Sequence, residues 1–315
     1  MSSRSAVCSV VSAVCVMVAI GAAGQSASPE QQLVTRAAEA LGGRDRVMAL
    51  KTLQMVGFGE LAYMDGGGNI TADPAAPQKW QKVLEYRRII DLEHGRTRVE
   101  QRVKMDFPFA STAGQLGLNR SSETLDGDVA YNIGGGFLAA PTAGTPQPQA
   151  AGAAAARQRR VELLAYPITI VRAALDPSSR LSNLRKQGGL QLVDVTVRQG
   201  DTLTLAVNAM SGLPEWVSYV GPQVNLGDVT YRTAFTGYEP EKGVQLPTAL
   251  ATTIDWRNVV HSKLDVDRNI VDAPIDDLSA PESVRAPRPA QGGAAANLQP
   301  VKVADHVWFM NGNSF

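Results

Sequence analysis

Residues 96–107, RTRVEQRVKMDF, contain the pattern that decides the fold of this chain. Charged residues occupy every even position, while threonine, valine, glutamine, methionine and phenylalanine occupy the odd positions. Because side chains alternate between the two faces of a strand, the charged set lies on one face and the other set on the opposite face. One wet face and one mostly apolar face are typical of an antiparallel sheet with a solvent-exposed side.

The segments on both sides of residues 96–107 continue this period of two. Dipeptides such as His94-Gly95, Asp126-Gly127 and Ser211-Gly212 separate them and favour tight turns. The predicted fold is therefore mainly β with a few helices (α+β), a curved antiparallel sheet or half-barrel covered by helices. Further strands are predicted at 53–63, 83–92, 123–133, 190–197, 203–209, 215–220, 229–238, 248–256 and 259–266.

Two helical regions interrupt the strand pattern. Ser28-Pro29-Glu30-Gln31 combines a capping residue, a proline at the first helical position and a glutamine three residues after the cap, which predicts a helix that ends at Gly42-Gly43. A short helical turn is predicted at 44–50. A longer helix is predicted at 153–175, bent or broken near Pro167 because proline removes a helical donor. Its cluster of Arg157, Arg159 and Arg160 is interpreted as a solvated helix face.

The first 24 residues have the features of a secretory signal peptide. Arg4 is their only charged residue, 6–20 is apolar, and small residues at 21–24 mark a cleavage site. The alternative is an uncleaved membrane anchor. Cleavage predicts an exported protein, periplasmic or extracellular. It would also remove Cys8 and Cys15, the only two cysteines, and with them any thiolate metal site or cysteine nucleophile.

Composition and motifs exclude several classes of function. The 30 basic residues balance the 30 acidic residues, and no basic stripe with interleaved aromatics is present, so no nucleic-acid partner is predicted. No nucleophile or phosphate-loop motif occurs. His94, His261 and His306 lie far apart without a second ligand at useful spacing, and we interpret them as ordinary surface or turn histidines. We therefore assign no catalytic residue and no metal ligand.

Composition shifts divide the chain into segments. A lipoprotein-carrier-like antiparallel β domain is assigned to 28–278, within which the small-residue tract 134–152 is predicted to be a mobile surface loop. The Pro/Ala/Gly-rich stretch 279–298 is predicted to be a linker. The remaining residues, 299–315, are predicted to form two strands joined by tight turns.

The sequence LGGRDRVMALKTL at 41–53 resembles the start of exported sheet proteins with a lipoprotein-carrier-like fold, and residues 30–278 are similar to that fold as a whole. In such folds helices close over the inner face of the sheet and leave a hydrophobic cavity for acyl chains. The resemblance implies a lipid or another apolar small molecule as the ligand. The candidate apolar-ligand lining is the inner row Val99, Val103, Met105 and Phe107, with Val195, Val197, Leu203, Leu205 and Val207 as companions. Core packing is the default use of such rows, and we expect it here.

The tail QPVKVADHVWFMNGNSF at 299–315 resembles the start of the catalytic domain of metallo-β-lactamase-fold (MBL-fold) hydrolases. Short motifs in 210–278 occur in the order typical of the region before that domain. The resemblance implies that full-length relatives are zinc-dependent hydrolases, but the H-x-H-x-D-H metal motif is absent from this chain, so no cofactor is predicted for it. The alternative is a terminal hairpin that closes the preceding sheet.

Three hypotheses follow for function. The first is a non-catalytic N-terminal accessory domain of an exported MBL-fold hydrolase, truncated just inside the catalytic domain, with the missing C-terminal MBL domain as its partner. The second is a self-sufficient periplasmic carrier or binding protein for lipid or other apolar ligands. The third is a structural module that docks onto a separately encoded partner.

Overall fold

The structure is a computed structural model, and it describes residues 27–64, 78–106, 120–134, 146–223, 225–256, 259–285 and 301–309. The helices are α1 (Pro29–Ala40), α2 (Arg44–Ala49), α3 (Gly152–Leu164), α4 (Pro167–Leu175) and α5 (Glu282–Arg285). The strands are β1 (Thr52–Ala62), β2 (Trp80–Asp91), β3 (Arg96–Met105), β4 (Arg120–Asp126), β5 (Val129–Ile133), β6 (Gln149–Ala150), β7 (Arg180–Gln187), β8 (Leu190–Thr196), β9 (Thr202–Asn208), β10 (Pro214–Gln223), β11 (Gly227–Glu241), β12 (Val244–Ile254), β13 (Val260–Val271), β14 (Val301–Ala304) and β15 (Val307–Phe309).

The main sheet is an open, antiparallel sheet of 13 strands in the order β6-β5-β4-β3-β2-β1-β13-β12-β11-β10-β9-β8-β7. Strands β1 to β6 form one meander and β7 to β13 form a second, and the two meet where β1 pairs with β13. The predicted fold class, mainly β with an antiparallel sheet and few helices, is therefore confirmed.

The connection between the two meanders determines which face of the sheet is covered. Strands β6 and β7 lie at opposite edges, so the chain between them must cross one face of the sheet. That chain is α3 followed by α4, with Pro167 at the first position of α4. The predicted break near Pro167 is confirmed, and the broken helix forms the cover over the sheet.

Two glycines of β1 allow the two meanders to approach closely. A Cβ atom on Gly57 would lie 1.9 Å from the Asp265 carbonyl oxygen, and one on Gly59 would lie 2.0 Å from the Lys263 carbonyl oxygen. The pairing of β1 with β13 shifts register between Val56 and Gly57. A bulge at glycines bends and coils the strand, which promotes curvature of the sheet.

Apolar faces of the helices form the core with the sheet. Helix α1 begins with the predicted capping box, in which Gln31 N donates to Ser28 Oγ at 3.2 Å and Ser28 N donates to Gln31 Oε1 at 2.9 Å. Arg172 of α4 donates to the carbonyl oxygens of Val47 and Met48, and so satisfies acceptors at the C-terminal end of α2. The predicted companion residues are all buried in this core: Val195, Val197, Leu203, Leu205 and Val207.

The chain after β13 crosses the sheet on its outer face. Thr52 Oγ1 donates to the Ala273 carbonyl oxygen at 2.7 Å, and Ala280 N donates to Asp126 Oδ2 at 2.9 Å. Ala280 and Val284 are buried against Tyr131 of β5. The first part of the predicted linker, residues 279–285, is thus fixed to the sheet, because its carbonyl and amide groups pair with side chains of β4 and β5. The rest of the predicted linker, 286–298, lies outside the described residues.

Strands β14 and β15 form a separate two-stranded sheet. The prediction of a hairpin in 299–315 is therefore confirmed for 301–309. β14 and β15 pair with each other and not with a strand of the main sheet. The alternative, a terminal hairpin that closes the preceding sheet, stays a prediction.

Two strands of the main sheet were not predicted. β7 carries the polar sequence RLSNLRKQ and shows no alternation of apolar and polar residues, because it is an edge strand with a register shift between Ser182 and Arg185. β6 lies within the stretch predicted as a mobile loop, of which 135–145 lies outside the described residues. The predicted signal peptide, 1–24, also lies outside them.

Candidate functional site

A cavity of about 280 Å³ lies between the α3–α4 cover and the concave face of the sheet. Its lining includes Val99 of β3 and Tyr219 of β10, which are six strand positions apart in the sheet. At about 4.8 Å per step, a flat sheet would place these strands about 29 Å apart. The sheet must therefore curve, and the curvature brings the two meanders to opposite walls of one cavity.

The lining of the cavity is a mixture of apolar, aromatic and charged side chains. Aliphatic residues come from β1, β3, β12 and β13, aromatic residues from β2, β10 and β11, and charged residues from β2, β4 and α3. The side chains used in the argument below are Tyr86, Arg88, Val99, Glu123, Arg159, Glu162, Tyr219, Tyr231 and His261. This lining differs from the purely apolar one implied by the predicted inner row, since polar groups of α3 face the sheet.

Arg88 of β2 is a buried cation with unused hydrogen-bonding capacity. Its side chain is only 8% exposed. Nη2 donates to the Glu162 carbonyl oxygen at 2.8 Å, whereas Nε has no partner. Within the described parts of the chain no carboxylate forms an ion pair with it. An unpaired buried charge is costly, so this guanidinium can accept an anionic partner in the cavity.

Glu162 of α3 faces the same space. Gln158 Nε2 donates to its Oε1 at 2.7 Å. Glu162 as a residue is exposed, and its side chain lines the cavity, where neighbouring protein atoms partly desolvate the carboxyl group. Burial raises the pKa of Glu162 above its ordinary value, and the hydrogen bond from Gln158 and the charge of Arg88 only partly offset this effect. The carboxyl group therefore takes up a proton more readily than an exposed one.

His261 of β13 also contributes a buried atom without a partner. Its Nδ1 has no hydrogen bond to any described residue. The imidazole ring meets Tyr231 edge-on at 5.5 Å between centroids. Burial lowers the pKa of His261, so the ring stays neutral over more of the acidic range. The interpretation of this residue as an ordinary surface or turn histidine is wrong, because the curvature of the sheet turns its side chain into the cavity.

Two tyrosines stack along one wall. The rings of Tyr219 and Tyr231 lie 5.3 Å apart at 18°. The Tyr231 hydroxyl donates to the Pro222 carbonyl oxygen at 3.1 Å, and Gln158 Nε2 donates to the Tyr219 hydroxyl at 3.4 Å. Burial raises the pKa of both hydroxyls, so they remain neutral hydrogen-bonding groups. The stacked rings provide a flat, amphipathic wall.

Arg159 has a structural role beside the cavity. It is 8% exposed, and its Nη1 donates to the carbonyl oxygens of Thr124 and Tyr131, both at 2.9 Å. Its Nη2 lies 3.4 Å from Glu123 Oε2. The interpretation of 157–160 as a solvated face is therefore wrong for Arg159, which fixes α3 to β4 and β5. Its acceptors come from segments far away in sequence, so the local pattern could not indicate the burial.

The structure brings only part of the predicted inner row to the cavity. Val99 lines it together with its strand neighbours Thr97 and Gln101. Val103 and Met105 are buried, at 7% and 4% exposure, but they are not part of the lining. Phe107 lies outside the described residues. That this row binds an apolar ligand stays a prediction.

The sequence analysis missed Arg88, Glu162 and His261 as site residues. The signal for Arg88 was present, since it lies between Tyr86 and Ile90 on one face of a strand. A charged residue at the centre of an otherwise apolar row indicates either a buried functional site or a strand at the edge of the sheet. Glu162 and His261 have no comparable local signal.

The described residues offer neither a metal-binding cluster nor a membrane-spanning helix. They contain no group of three or more His, Cys, Asp or Glu side chains that could hold a metal ion. No helix among them has the length and apolar character needed to cross a bilayer. Zinc binding in full-length relatives stays a prediction from the resemblance.

No known family profile matches the sequence, and no curated protein matches it. Among solved structures, a LolA superfamily protein from Nitrosomonas europaea is 14% identical with a TM-score of 0.43, and the match covers 79% of this chain and 96% of that chain. A DUF1329 family protein from Desulfovibrio piger is 10% identical with a TM-score of 0.44, and the match covers 80% and 96% of the two chains.

These likenesses concern the general arrangement of the sheet and helices. At TM-scores of 0.43 and 0.44 neither likeness carries an argument about family or function. Neither protein is described as having a metallo-β-lactamase fold, so the comparisons give no support to that interpretation of 299–315.

Proposed function

We propose that the protein is a binding protein that holds one small amphipathic ligand in the cavity between the α3–α4 cover and the sheet. The observation that carries this proposal is the pair of buried polar atoms, Arg88 Nε and His261 Nδ1, that lack partners at a cavity wall. Each unsatisfied buried group costs about 1–3 kcal/mol, more where it is charged. Other buried atoms without partners occur in the described residues, such as Arg102 Nε and Tyr166 Oη, but Arg88 and His261 are the ones that line this cavity.

The size of the cavity limits the ligand. About 280 Å³ corresponds to roughly nine water-sized groups at ~30 Å³ each. Binding cavities for small molecules usually measure about 300–1,000 Å³, so this one lies at the lower end. A ligand of about ten non-hydrogen atoms fits, with its apolar part against Val99, Leu250 and Leu264. A whole two-chain lipid does not.

The test is calorimetric titration with three eight-carbon probes, octanoate, octanol and octylamine. We expect at least one of them to bind with one site per chain. Val99→Trp fills the cavity and is expected to abolish binding, since Val99 lines it. The matched control is Val220→Trp on β10, because Val220 is 54% exposed and does not line the cavity.

Thermal unfolding of both variants shows whether they fold. Binding that survives in a folded Val99→Trp variant would place the ligand elsewhere. If none of the three probes binds and native mass spectrometry of the purified protein detects no small molecule, the proposed function is wrong.

The interpretation of 299–315 as the start of an MBL-fold domain stays a separate prediction. The hairpin of β14 and β15 is compatible with it, but hairpins of this kind occur in many folds. The DNA sequence downstream of the codon for Phe315 tests it directly. A reading frame with H-x-H-x-D-H would support the accessory-domain interpretation, and its absence would remove the basis for it.

A further inference from the structure

Resting on the proposed function, we infer that the cavity selects a ligand with a carboxylate head group, and that Arg88 is the residue that binds it. The inference depends on how Arg88 differs from the other buried arginines of the same molecule. Arg159 and Arg172 each donate to more than one backbone carbonyl oxygen, whereas Arg88 has one carbonyl oxygen and the Tyr86 hydroxyl as partners and keeps its Nε without one.

The comparison with Arg159 is direct, because both guanidinium groups lie beside α3 and both side chains are 8% exposed. Arg159 donates to two carbonyl oxygens and to Asn132 Oδ1, and it pairs with Glu123. Arg88 donates to the Glu162 carbonyl oxygen and interacts with the Tyr86 hydroxyl, and its Nε is buried without a partner. The acceptors around Arg159 are those that a structural arginine needs, while the environment of Arg88 leaves a donor free for a ligand.

The chemistry of the guanidinium group favours a carboxylate. Its planar fork of N–H donors matches the two oxygens of a carboxylate, and charge-assisted hydrogen bonds of this type are the strong ones in proteins. His261 lines the same cavity, and its Nδ1 can form a hydrogen bond with a second polar atom of the ligand. The neutral hydroxyls of Tyr219 and Tyr231 add no charge that would oppose an anion.

Charge balance in the cavity agrees with a single negative charge on the ligand. The charged groups that face Glu162 are Arg88, Arg159 and Glu123, and the ionisable neutral groups are Tyr86, Tyr219, Tyr231 and His261. Arg159 and Glu123 pair with each other. Arg88 and Glu162 remain, and the Glu162 carboxylate points to Gln158 and not to Arg88. When Glu162 is protonated, the cavity has one uncompensated positive charge.

The first experiment compares octanoate with octanol and octylamine, which have the same chain and different head groups. We expect octanoate to bind at least about tenfold more tightly than octanol, since a hydrogen-bonded charge pair is lost in the alcohol. Octylamine, a cation beside Arg88, should bind most weakly. Arg88→Met should reduce octanoate affinity at least about tenfold and leave octanol affinity within about threefold.

Arg87→Met is the matched control for Arg88→Met. Arg87 is the adjacent residue, its side chain points to the other face of β2, and it bonds Gln54 and Glu100 outside the cavity. Arg87→Met should therefore leave the affinity for octanoate unchanged. Arg88→Met also removes the hydrogen bond to the Glu162 carbonyl oxygen, so thermal unfolding without ligand checks that the variant is folded.

Glu162→Gln supplies a second test that does not require loss of Arg88. It keeps the shape and removes the competing negative charge, so octanoate affinity at pH 8 should rise several-fold while octanol affinity stays the same. No rise would contradict the inference.

The outcomes separate this inference from the proposed function. Carboxylate selection is wrong if octanol binds as tightly as octanoate, or if a folded Arg88→Met variant loses affinity for octanoate and octanol equally. The cavity is still a binding site in either case. If none of the three probes binds, the inference is wrong, and if native mass spectrometry also detects no bound small molecule, the proposed function is wrong as well.

Discussion

Asp126 at the end of β4 should hold the outer chain segment 273–285 against the sheet, and its removal is the sharpest test of the fold. Its Oδ1 receives a hydrogen bond from Arg96 Nε at 2.7 Å, and its Oδ2 receives one from Ala280 N at 2.9 Å. Arg285 of α5 also pairs with Oδ2. The carboxylate side chain is 10% exposed.

The loss of stability expected for Asp126→Ala follows from these contacts. Asp126→Ala leaves Arg96, which is 22% exposed, without its main partner and removes an acceptor from a buried backbone amide. Breaking a buried pair in this way costs about 3–5 kcal/mol. At about 2–4 °C per kcal/mol for a domain of this size, the melting temperature should fall by about 6–20 °C.

The matched control lies two residues away. Asp128 also forms an ion pair, with Arg160 at 2.6 Å, but its side chain is 88% exposed. Exposed pairs contribute little, so Asp128→Ala should change the free energy of unfolding by less than about 1 kcal/mol. Urea denaturation at pH 7 measures both. Equal effects of the two substitutions would refute the argument that burial of the Asp126 contacts stabilises the segment.

The pH dependence of this stabilisation has a definite sign. Burial alone would raise the pKa of Asp126, but the hydrogen bonds from Ala280 and Arg96 and the charges of Arg96 and Arg285 outweigh it, so the pKa is lowered. A carboxyl group with a lowered folded-state pKa stabilises the fold above its ordinary pKa of about 3.9. The contribution is lost as the pH falls through the folded-state value. The difference between wild type and Asp126→Ala should thus be constant from pH 5 to 8 and shrink below about pH 4.

Two further predictions concern the outer segment and β1. A chain that ends after Arg285 should keep the melting temperature of the full chain within about 1 °C. A chain that ends after Asp277 should melt about 5 °C lower or more, because it lacks the buried side chains of Leu278, Ala280 and Val284. Equal melting temperatures of the two shortened chains would mean that 278–285 contributes nothing to stability. Gly57→Ala should destabilise the fold by at least about 2 kcal/mol, since its Cβ would overlap the Asp265 carbonyl oxygen. Gly189→Ala is the control and should be tolerated, because no atom lies within 4 Å of the added Cβ. Chemical denaturation measures the free energy of unfolding of both variants.

Local pattern was sufficient for most of the elements. The alternation in 96–107 determines which side chains of β3 share a face, because a strand offers only two directions for its side chains. The capping box at Ser28 and the proline at position 167 determine where α1 and α4 begin, because both act on the backbone within a few residues. β7 lacked such a signal, since a polar edge strand has no apolar face to mark it.

Apart from the row of β2 that marks Arg88, the composition of the cavity was decided by tertiary structure. Arg87 and Arg88 are adjacent and chemically identical, and a register shift between Val83 and Glu85 determines which of them faces inward. A bulge of this kind moves every later side chain to the opposite face, and the sequence does not mark its position. His261 of β13 lines the same cavity as Arg159 and Glu162 of α3, about 100 positions away in the sequence. The sequence by itself determined a helix-covered antiparallel sheet; the bulge and the curvature decided which polar side chains are buried together, because both depend on contacts between segments far apart in the chain.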